Sequence, residues 1–109
     1  MFKAMILLTR SEQMSPEQFA TWWLEEHAPR ARQLPGVREI RFNLVTDPGD
    51  AAERIAGGVD GIAELWFDDR ESFEAAYATD IGKAVAQDSL DHVAGRIRLF
   101  VEENAILRS

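Results

Sequence analysis

The chain has 109 residues, the length of one domain, and it contains no cysteine, which excludes disulfides, thiolate nucleophiles and cysteine-type zinc sites. Its net charge of −7, from 12 basic and 19 acidic residues, argues against nucleic acid or an anionic membrane surface as a partner, since both need clustered positive charge. No apolar run reaches the length of a transmembrane helix or of a signal-peptide core, so a soluble, cytoplasmic, single-domain protein over residues 1–109 is expected.

Phe2 to Thr9 is a compact apolar run and reads as a buried strand. A helix follows with a complete start signal. Ser15 stands at the N-cap, Pro16 at the first helical position and Gln18 at the third, with Met14 and Phe19 placed as a hydrophobic staple. Advancing roughly 100° per residue puts Phe19, Ala20, Trp23, Leu24, His27 and Ala31 on one arc, with His27 inside it. Trp22 falls off this arc and is expected at another surface. Pro29 removes a donor and frees the carbonyl of Glu25, which predicts a kink or fraying near His27, and Leu34-Pro35-Gly36 stops the helix.

Val37 to Thr46 alternates, with Ile40, Phe42 and Leu44 opposite Glu39, Arg41 and Asn43, the pattern of an edge strand. Asp47 to Asp60 reads as a loop long enough to act as a lid, with a helical turn around Ala51 to Ile55. Gly61 to Phe67 is the third strand. Asp68 or Asp69 caps a second helix with Phe73, Ala76 and Tyr77, and a further helical stretch from Asp80 carries Ile81, Ala84, Val85 and Asp88. Arg96 to Glu102 is the fourth strand.

The order βαββαβ predicts an α+β, ferredoxin-like protomer. Right-handed crossovers put both helices on one face of a four-stranded antiparallel sheet, with the first and third strands central. The other face is then bare. The strands are apolar on both faces, with Ala4, Ile6 and Leu8 opposite Met5 and Leu7, Ile62 and Trp66 opposite Ala63, Leu65 and Phe67, and Ile97, Leu99 and Val101 opposite Phe100, so the bare face would be too large an apolar patch for a typical monomer. A homodimer packed sheet to sheet about a two-fold axis is the simplest remedy.

Several segments resemble the EthD family of the dimeric α/β-barrel superfamily. They are Met14-Ser15-Pro16-Glu17-Gln18-Phe19, Trp23, His27-Ala28-Pro29, Leu34-Pro35-Gly36 and the run from Gly61 to Asp69. The resemblance implies a homodimer whose two sheets form a barrel, with a cavity between the helices and the sheet of each protomer. Members of the superfamily include cofactor-free lactone isomerases, polyketide cyclases, decarboxylases and small monooxygenases, so fold alone does not decide the reaction. Many relatives carry a tyrosine on the second strand a few residues after the Pro-Gly turn; here that position is Ile40.

His27 is the leading candidate for chemistry. It reads either as a general acid or base in the cavity, or as a core histidine bonded to the Glu25 carbonyl or to a side chain. Phe19 and Trp23 on the same stripe line a pocket for a flat apolar ligand, or simply fill the core. Glu64 and Trp66 share a face of the third strand. Glu64 needs a cation, from Arg41, Arg96 or Arg98, and reads as a structural ion pair or as a carboxylate that orients His27 or a substrate. Asp88 and His92, four residues apart, offer two ligands that His27 would complete as a metal set, but His92 is also favoured at a helix end, and no metal is expected. Tyr77, the single tyrosine, stands in for the missing strand donor or packs on Phe73.

No phosphate loop and no serine elbow is present, and haem has no support beyond a lone histidine. The expectation is therefore a cofactor-independent enzyme acting on a small apolar or aromatic oxygenated metabolite by isomerisation, cyclisation or decarboxylation. The alternative is a non-catalytic accessory or ligand-binding protein.

Overall fold

The computed structural model describes residues 1–47 and 58–108. Strand β1 (Phe2–Arg10) leads into one helical run in three pieces: α1 (Pro16–Thr21), a π-helical turn (Trp22–His27) and α2 (Ala28–Ala31). Strands β2 (Glu39–Leu44) and β3 (Gly61–Phe67), helices α3 (Arg70–Ala78) and α4 (Asp80–His92) and strand β4 (Val93–Val101) complete the order. The sheet runs β2-β3-β1-β4 with every neighbour antiparallel. It is the expected ferredoxin-like α+β arrangement, with the two apolar strands in the centre. The expected turn at 51–55, and most of the expected lid, lie outside the described residues. Among the described residues no helix is long and apolar enough to cross a membrane.

Local chemistry accounts for the helix starts. Ser15 Oγ accepts from the Gln18 backbone N–H at 3.1 Å, and Gln18 Oε1 accepts from the Ser15 N–H at 2.8 Å, so the capping box is complete. Asp69 caps α3 by accepting from the Ser72 N–H, and Thr79 caps α4 by accepting from the Gly82 N–H. Gly36, with φ +78°, turns the chain after Pro35 towards β2.

The first helix differs from expectation at its middle. Rather than fraying, it widens over one turn: the Ala28 N–H reaches back five residues to the Trp23 carbonyl. Pro29 offers no N–H, and its ring crowds the Glu25 carbonyl in a regular α-helix, which the widened turn just before it relieves. The wider turn also changes which side chains face inward. Trp22 and Trp23 are both buried, and Leu24, expected on the apolar arc, is 45 % exposed. Strand β4 starts earlier than expected, directly after His92, because Val93 and Gly95 pair with Arg10 and Thr9 across a bulge at Ala94 of β4.

Alternation divides the sheet into two faces. Ala4, Leu8, Ala63, Leu65 and Phe67 meet Phe19, Trp23, Phe73 and Val85 of the helices in one core. Gly61 is required at the end of β3: a Cβ there would lie 2.7 Å from the six-membered ring of Trp23. The indole has little freedom to retreat, since it stacks on Phe42 with centroids 4.4 Å apart. Gly61→Ala is therefore expected to cost about 1–3 kcal/mol, as overpacking of a filled core does. The urea denaturation midpoint measures it, and an unchanged midpoint would show that Trp23 has room to move.

Candidate active site around His27

Between the π-helical turn, α4 and the sheet lies a cavity of about 50 Å³. At roughly 10–15 Å³ per water it holds a few water molecules. Its walls are mostly apolar, including Ile6, Leu8, Trp23, Phe42 and Leu65. The polar residues on them are His27, Tyr77, Ser89, Arg96 and Arg98.

The widened turn carries His27 to the face of α4, where both ring nitrogens find partners. Nδ1 lies 2.8 Å from Asp88 Oδ2, and Nε2 lies 3.3 Å from Ser89 Oγ. Asp88 is only 6 % exposed and is surrounded by donors. Arg30 Nη1 lies 2.8 Å from Oδ1, and Trp22 Nε1 donates to the same oxygen at 3.4 Å. His92 donates from Nδ1 to the Asp88 backbone carbonyl at 2.7 Å, and its ring stacks on Trp22 with centroids 4.5 Å apart.

These contacts fix the charge states. Burial works against the Asp88 carboxylate, but the bonds from His27 and Trp22 and the charge of Arg30 outweigh it, so its pKa lies below the usual carboxylate value. For His27 the balance is opposite. Burial pushes its pKa below the ordinary histidine value despite Asp88, and the charges of Arg30 and His92 push the same way. At neutral pH the imidazole is thus uncharged, with its proton on Nδ1 held by Asp88 and its lone pair on Nε2. Burial also raises the Tyr77 pKa, against the opposing effect of Arg96 and Arg98, so the phenol keeps its proton.

The residues singled out in the sequence separate into distinct places. His27, Trp23 and Tyr77 share the cavity wall, and Asp88 stands behind His27. Phe19 is fully buried against Trp22 and Trp23 and is not among the lining residues. His92 stands outside the cavity, on the far side of Trp22. His27, Asp88 and His92 meet through hydrogen bonds and stacking. Among the described residues no group of three His, Asp or Glu side chains is placed to hold a metal ion.

Glu64 and Trp66 point from the opposite face of the sheet, away from His27. The cation that holds Glu64 is Lys3 on the neighbouring strand, at 2.8 Å, not an arginine of β4. The register explains why: Arg96 and Arg98 pair with Leu8 and Ile6 and share their helix-covered face. Lys3 is diagonal to Glu64 across the sheet, and it is also bonded to Glu103 at 2.9 Å, with its ammonium 4.5 Å above the Trp66 ring.

Five participants escaped the sequence reading of the site. Trp22, expected at another surface, is drawn in by the π-helical turn. Arg30 and Ser89 gave no sign beyond lying next to Pro29 and Asp88. Arg96 and Arg98 were legible as the residues alternating with Ile97 and Leu99, and only the choice of face was missing.

The model of the EthD domain matches residues 11–94. No curated protein matches the chain. Among solved structures, an EthD-family protein from Bacillus halodurans is 25 % identical, with 95 % of this chain and 100 % of that one aligned and a TM-score of 0.77. A dimeric protein of unknown function and ferredoxin-like fold from Bacteroides fragilis is 12 % identical over 94 % of this chain and 95 % of its own, with a TM-score of 0.69. A dimeric ferredoxin-like protein of unknown function from Thermobifida fusca is 16 % identical over 92 % and 88 %, also with a TM-score of 0.69.

The lowered His27 pKa sets a pH dependence for stability. Below the ordinary histidine value, about 6.5, the unfolded chain binds a proton that the folded chain refuses. The contribution of His27 is therefore full above that value and is lost as pH falls towards the lower folded value. Asp88 acts further down, with stability present above its ordinary value and lost as pH falls through its depressed one. Urea midpoints are expected to fall between about pH 7 and 5, and to fall less in His27→Asn.

Proposed function

This chain belongs to the EthD family, and from that premise and the His27 cavity we propose a cofactor-independent enzyme that moves a proton beside the carbonyl of a small apolar or aromatic oxygenated metabolite. One observation carries the reading: a buried, uncharged imidazole with Nδ1–H fixed on a carboxylate and Nε2 on the cavity side, beside Ser89. That is the arrangement a general base requires. Nε2 takes a proton from the carbon next to the carbonyl, and the electron pair moves onto the carbonyl oxygen. Tyr77, Arg96 and Arg98 offer that oxygen a phenolic proton or positive charge. The proton returns from Nε2 to another carbon, which is isomerisation, or the enolate attacks a second carbonyl and the new alkoxide takes the proton from Nε2–H, which is cyclisation. Decarboxylation of a β-keto acid reaches the same enolate: Nε2 takes the carboxyl proton, CO2 leaves as its bonding pair moves onto the carbonyl oxygen, and Nε2–H returns the proton to the carbon.

Arg96 and Arg98 are exposed on the edge strand. They form the solvent-exposed part of the wall, the side from which a ligand would enter. The small volume and the bond from Ser89 to Nε2 support the second reading, an accessory protein that binds without reaction.

Exchange of α-protons in D2O, followed by proton NMR on a panel of small lactones and β-keto acids, separates the two. His27→Asn, which keeps a donor for Asp88, is expected to slow exchange by about 10²–10⁴-fold while the fold is retained. Exchange at the wild-type rate in His27→Asn would refute the proposal, and tight binding without exchange would favour the accessory role.

We further propose a homodimer through the bare sheet face. Met5, Leu7, Ile62, Ile97, Leu99 and Val101 form an apolar band there, with Ile97 and Leu99 both 45 % exposed. The dimeric relatives support this choice. Leu99→Glu is expected to convert the dimer to a monomer in size-exclusion chromatography with light scattering; a variant that remains dimeric would place the interface elsewhere.

A further inference from the structure

We propose that Ser89 is a nucleophile, and that the chain Asp88–His27–Ser89 transfers the acyl group of a small ester or lactone through a covalent intermediate on Ser89 Oγ. The proposal rests on reading the His27 cavity as the active site, but it uses a group that proton transfer by His27 does not need.

An activated serine has three requirements: a base within hydrogen-bond reach, a third group that orients the base, and charge or donors for the oxyanion beside an open space. All three are present. Ser89 Oγ is 3.3 Å from His27 Nε2, and Nδ1 is 2.8 Å from Asp88 Oδ2. The first distance is long for a reacting pair, as is common before a substrate closes the site. Ser89 is buried, yet it lines the cavity, so its hydroxyl is shielded from bulk water and still borders space that an acyl group can enter. Arg96 and Arg98 line the same cavity, and neither has a carboxylate partner among the described residues. Arg10, Arg30, Arg38, Arg41 and Arg70 all have one.

Asp88 and Ser89 are adjacent on α4, while the base comes from the other helix. One helix therefore supplies both ends of the chain, and the ring between them is held at both nitrogens. A serine needed only to satisfy Nε2 would have no reason to border the cavity that Arg96 and Arg98 also line.

The chemistry balances without a cofactor. Nε2 takes the hydroxyl proton as Oγ bonds to the acyl carbon, and the carbonyl electron pair moves to the oxygen beside Arg96 and Arg98. Collapse of this intermediate breaks the bond to the leaving oxygen, which takes the proton from Nε2–H. Water then repeats the sequence and releases the acid, leaving Oγ protonated again. The cavity volume restricts the acyl group to one of about acetyl size, with the leaving group directed to the exposed Arg96 and Arg98 edge. A lactone would keep its leaving alkoxide tethered.

4-Nitrophenyl acetate and the full chain provide the test. A burst of nitrophenolate is expected, with a single acetyl group located on Ser89 by mass spectrometry of the digested protein. Ser89→Ala should lose both the burst and the adduct. His27→Asn should slow acylation by about 10²–10⁴-fold. Asp88 is a positioning residue, and Asp88→Asn should alter the pH profile of acylation as well as its rate. Absence of the adduct from wild-type protein, or acetylation only of lysines or the N-terminus, would overturn the proposal, whether or not any variant folds. Acetylation of Ser89 without α-proton exchange would leave this inference standing and remove the proton-transfer reading; exchange without acetylation would do the reverse.

Discussion

The site depends on the Asp88 carboxylate. An unpaired buried carboxylate is costly, and here three side chains of the first helical run meet it: His27, Trp22 and Arg30. Two come from the π-helical turn and one from α2, so the carboxylate joins α4 to the whole second half of the first helix. Removing one partner of such a group typically costs about 3–5 kcal/mol, because the other charge remains buried. The contact therefore has a structural consequence and a chemical one. It docks two helices, and it assigns the proton of His27 to Nδ1, which leaves Nε2 on the cavity side as a lone pair.

The π-helical turn makes that contact possible. A regular helix with Trp23 and His27 on its buried stripe would leave Trp22 on another flank. Widening brings Trp22 beneath the imidazole, with ring centroids 5.1 Å apart, and places its N–H on Asp88. His92 covers the other side of the indole. Pro29 supplies the local reason for the widened turn, since it can neither donate nor fit closely against the preceding carbonyl. A residue that looks like a helix fault in the sequence thus helps to set the geometry of the site.

Much of the architecture was legible beforehand, because it follows from short-range rules. Capping at Ser15 and Asp69, the alternation in β2, and the two-sided apolar content of β1 and β3 fixed element order and the central strands. The pairing between distant elements was not legible. Lys3 stands in an apolar strand, and nothing in its neighbours announces that it will balance Glu64 some sixty residues away. Ser89 is one polar residue on a mixed helix until the register of α4 against His27 is known. Trp22 was misplaced because a 100° advance per residue assumes a regular helix, and the wider turn breaks that assumption just where His27 meets Asp88.

Strand alternation then separates two kinds of surface with one pattern. In β4, Arg96 and Arg98 face the helices, while Ile97, Leu99 and Val101 face outward. A slip of one residue in that pairing would exchange the two sets, putting guanidinium groups on the apolar band and Ile97 and Leu99 in the cavity. The apolar partners Met5 and Leu7 on β1 oppose Leu99 and Ile97, and this match resists the slip. The same pairing that builds the candidate interface therefore holds two cations at the cavity. In a chain of net charge −7 they make that edge locally positive, which favours ligands bearing an oxygen that is negative or becomes so during reaction.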